Sequence, residues 1–263
     1  MRVLVKKKQP GRNGIILKDQ KEIEILRKAN SIVAWVLNKL KENLVEGITT
    51  YDLDQMAEQE IEKKGGKPAF KGYRGYPATL CISLNNEIVH GIPRKDRVLK
   101  QGDLVSMDVG VVYDGYIGDA AISATVGQAS PEAARLIKVT ENALMQGIAQ
   151  ARPKNRLGDI SHAIQRVVEK AGYSVVKQFV GHGVGKSLHE PPEIPNYGRK
   201  GRGPVLKPGM VLAIEPMVNM GSHEVKILED GWTAVTKDGS LSAHFEHSVA
   251  ITKHGPIILS TLD

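Results

Sequence analysis

The chain has 263 residues, of which 41% are hydrophobic and 25% charged, a balance typical of a globular protein with a substantial core. No apolar run approaches the roughly 18 residues of a membrane span, and the N-terminus lacks the roughly 7 to 15 apolar residues of a secretory signal. A single cysteine, Cys81, excludes an internal disulfide and fits a reducing compartment. We therefore expect a cytoplasmic protein with no membrane partner.

The formal net charge of +7 is concentrated at the start of the chain. Residues 1–18 contain six lysines and arginines and no acidic residue, and we predict that they form a basic extension ahead of a single domain, residues 19–263. A second basic stretch lies at residues 196–209. Charge runs of this kind are usually solvated surface, but they also fit contact with an anionic partner such as RNA.

The first elements in chain order are two helices followed by strands. Apolar residues recur at helical spacing over residues 20–46, with Asp19 as the N-cap, and a second helix over residues 50–64 ends at Gly65. Strands are predicted at residues 79–84, 87–90, 103–113 and 116–126. The last two strands form a hairpin, because Asp114-Gly115 between β-forming residues favours a two-residue turn.

The order of elements then starts again. Ser130-Pro131 begins a helix that extends to about residue 151, and another helix spans residues 157–171 and ends at Gly172. Further strands are predicted at residues 174–180, 210–218, 223–229, 232–236 and 245–252.

An internal repeat accompanies this order, since residues 52–65 align with residues 159–172 after a shift of 107 positions. Amphipathic helices resemble one another by chance, but the matching order of elements favours a duplication. We therefore predict an α+β fold of two αα-β halves, about residues 19–128 and 129–263, with helices against a sheet. A site between the halves would draw its residues from both.

Four carboxylates occur inside strand patterns that are otherwise apolar. They belong to Asp108, Asp119, Glu215 and Glu246, and a histidine between glycines, His182, accompanies them. Each alone has an ordinary explanation, such as a turn cap, a solvent-facing edge position or a structural histidine. Burying four anions together is prohibitive unless cations neutralise them. Carboxylates with one imidazole suit divalent Mn, Fe, Co or Zn, and two such ions can share bridging carboxylates.

Two segments carry a resemblance to a known family. FVGHGVGKSLHEPPEIPNY, residues 179–197, and GMVLAIEPM, residues 209–217, are similar to signatures of the type I, bacterial-like methionine aminopeptidases of the pita-bread, or M24, family. The resemblance covers about residues 18–260. It implies the pita-bread (creatinase/aminopeptidase) fold, a pseudo-twofold antiparallel sheet covered by helices. It also implies two divalent ions, Co, Mn, Fe or Zn, held by Asp108, Asp119, His182, Glu215 and Glu246.

The reaction that this resemblance implies is hydrolytic removal of the initiator methionine from new polypeptides when the next residue is small. A water activated by the two ions would attack the scissile carbonyl, and Glu215 would accept its proton. Asp119 and Glu246 would bridge the ions. His90 would contact the scissile amide nitrogen and His189 the carbonyl oxygen. The other histidines match no such pattern: His162, His223, His244, His247 and His254.

The methionine side chain needs an apolar, partly aromatic pocket. Candidates by position are Tyr73, Tyr76, Cys81, Leu188 and Trp232. The family often has an aromatic residue at the position of Leu188, although leucine also contacts a thioether well. Trp232 fits plain packing as well as the pocket wall.

Three other functions are weighed against this one. A proline-specific aminopeptidase or dipeptidase of the same fold normally carries a large N-terminal domain, which we do not find. A non-catalytic pita-bread module that binds protein or RNA would lose metal ligands, whereas all five are present. An interaction protein would depend on its basic extension, so deletion of residues 1–18 would distinguish it from an enzyme.

The partners expected for the enzyme follow from its substrate. They are the N-terminal methionine of nascent polypeptides and the ribosome, contacted through the basic extension and residues 199–207. We expect no DNA partner and a monomeric state.

Overall fold

The computed structural model describes residues 14–262, and the structural statements below concern that part of the chain. Residues 1–13, most of the predicted basic extension, lie outside it. The helices are α1 (Gln20–Glu42), α2 (Thr50–Lys63), α3 (Pro131–Gln150) and α4 (Leu157–Lys170). Over residues 14–262, we find no helix with the length and apolar character needed to cross a membrane.

The helices begin where the sequence predicts. The Asp19 side chain accepts a hydrogen bond from the backbone N–H of Glu22, and the Glu22 carboxylate accepts one from the N–H of Asp19. This reciprocal capping box satisfies two N–H groups that lack helical partners. Ser130 caps α3 by accepting a hydrogen bond from the backbone N–H of Ala133. The first helix ends at Glu42, four residues before the predicted end at residue 46.

Antiparallel strands make up the rest of the regular structure. They are β1 (Lys67–Pro68), β2 (Leu80–Leu84), β3 (Glu87–Val89), β4 (Leu104–Tyr113), β5 (Tyr116–Thr125), β6 (Ser174–Val175), β7 (Gly181–Gly183), β8 (Glu190–Ile194), β9 (Val211–Ile214), β10 (Met217–Asn219), β11 (Val225–Ile227), β12 (Ala234–Thr236), β13 (Ser242–His244), β14 (Glu246–Thr252) and β15 (Gly255–Ile258). Helices and antiparallel strands together confirm the predicted α+β class.

One large sheet dominates the part of the chain that the structure describes. Its neighbouring strands run in the order β1, β4, β5, β14, β9, β7 and β8, with β2 on β4 and β15 on β14. Two three-stranded sheets flank it, one of β13, β10 and β6 and one of β11, β12 and β3. The predicted hairpin joins β4 to β5 through Asp114 and Gly115, which both have positive φ. Positive φ at both central residues matches the twist of the two strands.

The two faces of the large sheet have different roles. Met107 and Val109 of β4 pack with residues of α1 and α2 in one core, and Leu212 and Val249 pack with residues of α3 and α4 in another. Successive side chains of a strand point to opposite faces. Asp108, between Met107 and Val109, therefore points away from the helices.

The internal repeat is visible in the structure. Helix α4 has the bounds of α2 displaced by the predicted 107 residues. An isolated β-bridge joins Thr49 to Val98 before α2, and an equivalent bridge joins Arg156 to Val205 before α4. The two helices therefore enter the fold through the same local arrangement.

Several predicted strands are shorter than expected. The predicted strand at residues 210–218 is two strands, β9 and β10, because Glu215-Pro216 interrupts the ladder and proline has no N–H to donate. The predicted strand at residues 174–180 is regular only in β6. Strand β3 ends before His90, which has a left-handed φ of 62°.

Lys18 does not behave as part of a solvated basic extension. Its ammonium lies 2.6 Å from Oε2 of Glu190, and both side chains are buried. The other oxygen, Oε1, accepts the backbone N–H groups of Lys186 and Ser187. Through Glu190, the ion pair connects Lys18 to the loop that ends at His189. Removing either partner would leave an uncompensated buried charge.

Candidate active site

A single cavity of about 350 Å³ brings together all the predicted site residues. It is lined by the predicted metal ligands Asp108, Asp119, His182, Glu215 and Glu246, and by the predicted substrate contacts Tyr73, Tyr76, Cys81, His90, Leu188, His189 and Trp232. Placement in one cavity is the property that a shared site requires. The individual roles of these residues remain predictions.

Neighbouring strands place the five predicted ligands together. Asp108 on β4 lies across from Ala121 of β5, and Glu246 at the start of β14 pairs with the same alanine from the other side. His182 on β7 pairs with Ala213 of β9, which lies two residues before Glu215. Strand pairing therefore fixes the positions of side chains that are far apart in sequence.

Ligand atoms of Asp119, His182 and Glu246 all lie within 4.8 Å of one another, which suits a shared metal ion. Nε2 of His182 is 3.8 Å from Oδ2 of Asp119 and 3.5 Å from Oε1 of Glu215. Nδ1 of His182 lies 3.0 Å from the carbonyl oxygen of Gly183, which can only accept a hydrogen bond. The hydrogen therefore sits on Nδ1, and the lone pair of Nε2 faces the carboxylates.

The unpaired polar atoms of the site fit a cation. Oδ1 of Asp108, Oδ1 of Asp119 and Oε1 of Glu246 are buried and have no hydrogen-bond partner within residues 14–262. Buried oxygens normally have a partner, and an unpaired one destabilises the fold. Divalent ions would supply the partner that these three carboxylates lack.

The electrostatics of the cavity lead to the same conclusion. Burial raises the pKa of Asp108 to about 7. Burial, followed by the neighbouring carboxylates, raises the pKa values of Asp119, Glu215 and Glu246 well above their usual range. Burial lowers the pKa of His182 to about 4, which keeps the imidazole neutral. A cation at this position would favour the ionised carboxylates and use the neutral imidazole.

Two further histidines line the cavity beside the predicted ligands. The ring of His189 lies 4.2 Å from that of His182, and its Nδ1 is 2.8 Å from Oη of Tyr73. Burial and the charge of Arg74 lower the pKa of His189. Burial and then His189 lower the pKa of His90 to about 4. Both histidines are therefore neutral at neutral pH and can act as hydrogen-bond donors.

The apolar part of the cavity is built around Tyr76. Its hydroxyl lies within hydrogen-bond distance of the carbonyl oxygens of Leu80 and Gly91, which orients the ring. Trp232 meets Tyr76 edge to face at 5.1 Å between ring centroids. Cys81 and Leu188 are buried beside them. An aromatic and aliphatic wall of this kind suits an unbranched apolar side chain.

Sequence reasoning missed several residues of the site. Phe70, Arg74 and Phe179 also line the cavity. Phe70 could have been predicted from the sequence, because it lies three residues before Tyr73 in a short run of aromatic residues. His244, which matches no family pattern in the sequence, has its Nε2 only 3.7 Å from Oε2 of Glu215.

Comparisons with known proteins agree on one family. The model of metallopeptidase family M24 matches residues 24–253. A methionine aminopeptidase from Clostridium perfringens is 55% identical over 248 residues, which cover 94% of this chain and 99% of that protein. The crystal structure of a methionine aminopeptidase from Thermotoga maritima is similar with a TM-score of 0.93 and 48% identity, covering 94% of this chain and 99% of that one.

A prolidase from Pyrococcus furiosus is a more distant structural relative. Its TM-score is 0.77 and its identity 25%, and this chain covers 66% of its length. The comparison supports a shared fold with proline-specific enzymes and a closer relationship to methionine aminopeptidases.

The raised pKa of Asp108 predicts that D108N stabilises chelator-treated protein by a few kcal/mol at pH 8. A carboxyl with a raised folded-state pKa destabilises the fold above that pKa, and the penalty disappears as pH falls toward the unfolded value near 4. The advantage of D108N should therefore shrink between pH 8 and pH 4. Urea unfolding at both pH values measures it.

D114N is the matched control, because Asp114 is exposed on the hairpin turn and asparagine tolerates its positive φ. It should change stability little at either pH. A D108N protein that is no more stable than wild type at pH 8 would contradict this account of the buried carboxylates.

Proposed function

Because this chain belongs to the metallopeptidase family M24 and has the pita-bread fold of methionine aminopeptidases, we propose that it hydrolyses the peptide bond after an N-terminal methionine. The observation that carries the proposal is the convergence of four carboxylates and His182 beside an apolar pocket in one cavity. A metal centre supplies the chemistry, and the pocket supplies the choice of substrate.

The five acidic and imidazole side chains would hold two divalent ions, with Asp119 and Glu246 as the shared ligands. The closest group, Asp119, His182 and Glu246, supports one ion, and the unpaired Oδ1 of Asp108 supports a second beside it. When bound, such ions lower the pKa of water and polarise a carbonyl group. The oxygen and nitrogen donors suit Mn, Fe, Co and Zn, so the metal that the cell supplies decides among them.

The proton-transfer and orienting roles fall to side chains of the cavity. Glu215 would accept the proton of the attacking water, since its carboxylate lies in the ligand set and is 14% exposed toward the cavity. Oη of Tyr73 can donate to Nδ1 of His189, which leaves the hydrogen on Nε2. His189 Nε2–H would then donate to the carbonyl oxygen as negative charge develops there. His90 would contact the scissile amide nitrogen.

The pocket of Tyr76, Cys81, Leu188 and Trp232 would receive the methionine side chain. Phe70 adds a buried aromatic ring to the cavity wall, and Leu188 adds an aliphatic side chain. The residue after methionine would lie in the narrow remainder of the cavity, so glycine, alanine and serine should be preferred. The comparisons do not favour a proline-specific enzyme.

The direct test is hydrolysis of Met-Ala-Ser after removal of metal with a chelator and addition of Mn²⁺, Co²⁺, Fe²⁺ or Zn²⁺ in turn. We expect methionine release that depends on added metal, with Leu-Ala-Ser and an X-Pro dipeptide turned over far more slowly. D119N should lower kcat/KM by more than about 100-fold, because it removes a shared ligand. D114N should match wild type.

Two results would contradict the proposed function. Faster turnover of the X-Pro dipeptide would indicate a proline-specific enzyme. No turnover with any ion would favour a binding module.

The cellular setting proposed for this activity is the cytoplasm, where a monomer would work on chains emerging from the ribosome. The clustered charge of the basic extension and of residues 199–207 supports a ribosome contact. Lys18 is buried in an ion pair, so a deletion that tests the extension should stop at residue 13.

Deletion of residues 1–13 should leave kcat/KM for Met-Ala-Ser unchanged and weaken co-sedimentation with ribosomes. Phosphate contacts are strongly salt-dependent, so co-sedimentation of the full chain should fall steeply between 50 and 200 mM salt, an interval over which several such contacts lose about 10³-fold in affinity. Co-sedimentation that changes neither with salt nor with the deletion would contradict a role for the basic extension.

A further inference from the structure

His244 is buried next to the predicted metal centre, and no other part of the mechanism uses it. Its Nε2 is buried and makes no hydrogen bond within the described residues. That atom lies 3.7 Å from Oε2 of Glu215, while Oε1 of Glu215 lies 3.5 Å from Nε2 of His182. The Glu215 carboxylate therefore lies between two imidazoles, one for each oxygen.

The backbone of His244 is held rigidly. Its N–H donates to Oγ of Ser123 at 2.9 Å, and the same Oγ donates to its carbonyl oxygen at 2.8 Å. Oγ of Ser106 lies 2.8 Å from Oγ of Ser123 and completes the chain of hydrogen bonds. Strand pairing of His244 with Met217 adds a further restraint. The imidazole is thus attached to a main chain that is fixed from two sheets.

The backbone of Glu215 is fixed independently. Nδ2 of Asn196, a fully buried side chain, donates to the carbonyl oxygen of Glu215 at 2.9 Å. Pro216 follows and restricts the chain on the other side. Because both main chains are held, only side-chain movement is needed to shorten the 3.7 Å between Nε2 of His244 and Oε2 of Glu215 to hydrogen-bond distance.

We propose that Nε2–H of His244 donates a hydrogen bond to Oε2 of Glu215 and so directs Oε1 toward His182 and the metal centre. This inference rests on the proposed function and adds a positioning residue to it. The described lining of the cavity does not include His244, so it acts through Glu215 rather than on the substrate. Outer partners of metal-ligating carboxylates typically change metal affinity or activity by about 10- to 100-fold when removed.

Two substitutions separate this role from simple core packing. H244L keeps the volume and removes the donor, whereas H244Q keeps a donor. H247L is the matched control, because His247 is a nearby strand histidine on β14. Its Nδ1 is hydrogen-bonded to Oγ of Ser260, away from the predicted metal centre. All three proteins are first compared with wild type by circular dichroism and thermal unfolding.

The readouts are Co²⁺ dissociation constants by calorimetry, the visible absorption of bound Co²⁺, and kcat and KM for Met-Ala-Ser. H244L should weaken Co²⁺ binding and lower kcat by about 10- to 100-fold with little change in KM, and should shift the Co²⁺ spectrum. H244Q should stay within about threefold of wild type, because it restores the donor. H247L should lose stability and keep Co²⁺ affinity.

Wild-type Co²⁺ affinity and kcat in H244L would overturn the proposal. H244Q as defective as H244L would also overturn it, since the imidazole itself would then be required, for example as a direct ligand. If H244L does not fold, H244N takes its place, because its shorter side chain cannot reach Glu215 and should show the same losses. A wild-type protein that binds Co²⁺ but releases no methionine refutes the proposed function, and the binding and spectral comparisons still test His244.

Discussion

Four carboxylates gathered in one cavity, three of them with a buried oxygen that lacks a hydrogen-bond partner, are the constraint on which the rest of this structure depends. Each carboxyl disfavours its ionised form because of burial, and three of them also because of their neighbours. Left as anions without cations, they would destabilise the fold strongly. The ionised arrangement is therefore favourable only with positive charge in the cavity, which is the physical basis for proposing a metal centre.

The fold meets this constraint by drawing the site from both halves of the chain. Asp108 and Asp119 come from the β4–β5 hairpin, and the remaining predicted ligands lie on strands, or just after a strand, that follow α4. Ala121, which pairs with Asp108 and with Glu246, leaves room between the two carboxylates. The apolar residues that alternate with the site residues along these strands pack against the helices on the opposite face of the sheet. Ions bound at the centre would thus also link the two halves.

The sequence allows much of this to be predicted, because the site violates strand chemistry. Acidic residues inside apolar strands are unfavourable unless they have a partner, and the residues that show this anomaly line one cavity. Helix starts are equally predictable, since the capping boxes are local. The roles of the individual ligands and the division at residues 128 and 129 remain predictions.

Long-range contacts account for what the sequence did not reveal. His244 lies two residues before Glu246, but its relation to Glu215 depends on how β13 and β10 pair. Lys18 belongs by sequence to a basic run, yet its partner lies 172 residues away. Glu215 lies just after β9 rather than inside a strand, because Pro216 interrupts the ladder.

The most direct test of the central claim is anomalous scattering from crystals soaked in Mn²⁺, recorded on both sides of the manganese absorption edge. Two anomalous peaks should lie inside the cavity, each about 2.0–2.3 Å from its oxygen and nitrogen ligands. Asp119 and Glu246 should contact both peaks. No peak in the cavity, or peaks that contact none of the five residues, would contradict the account.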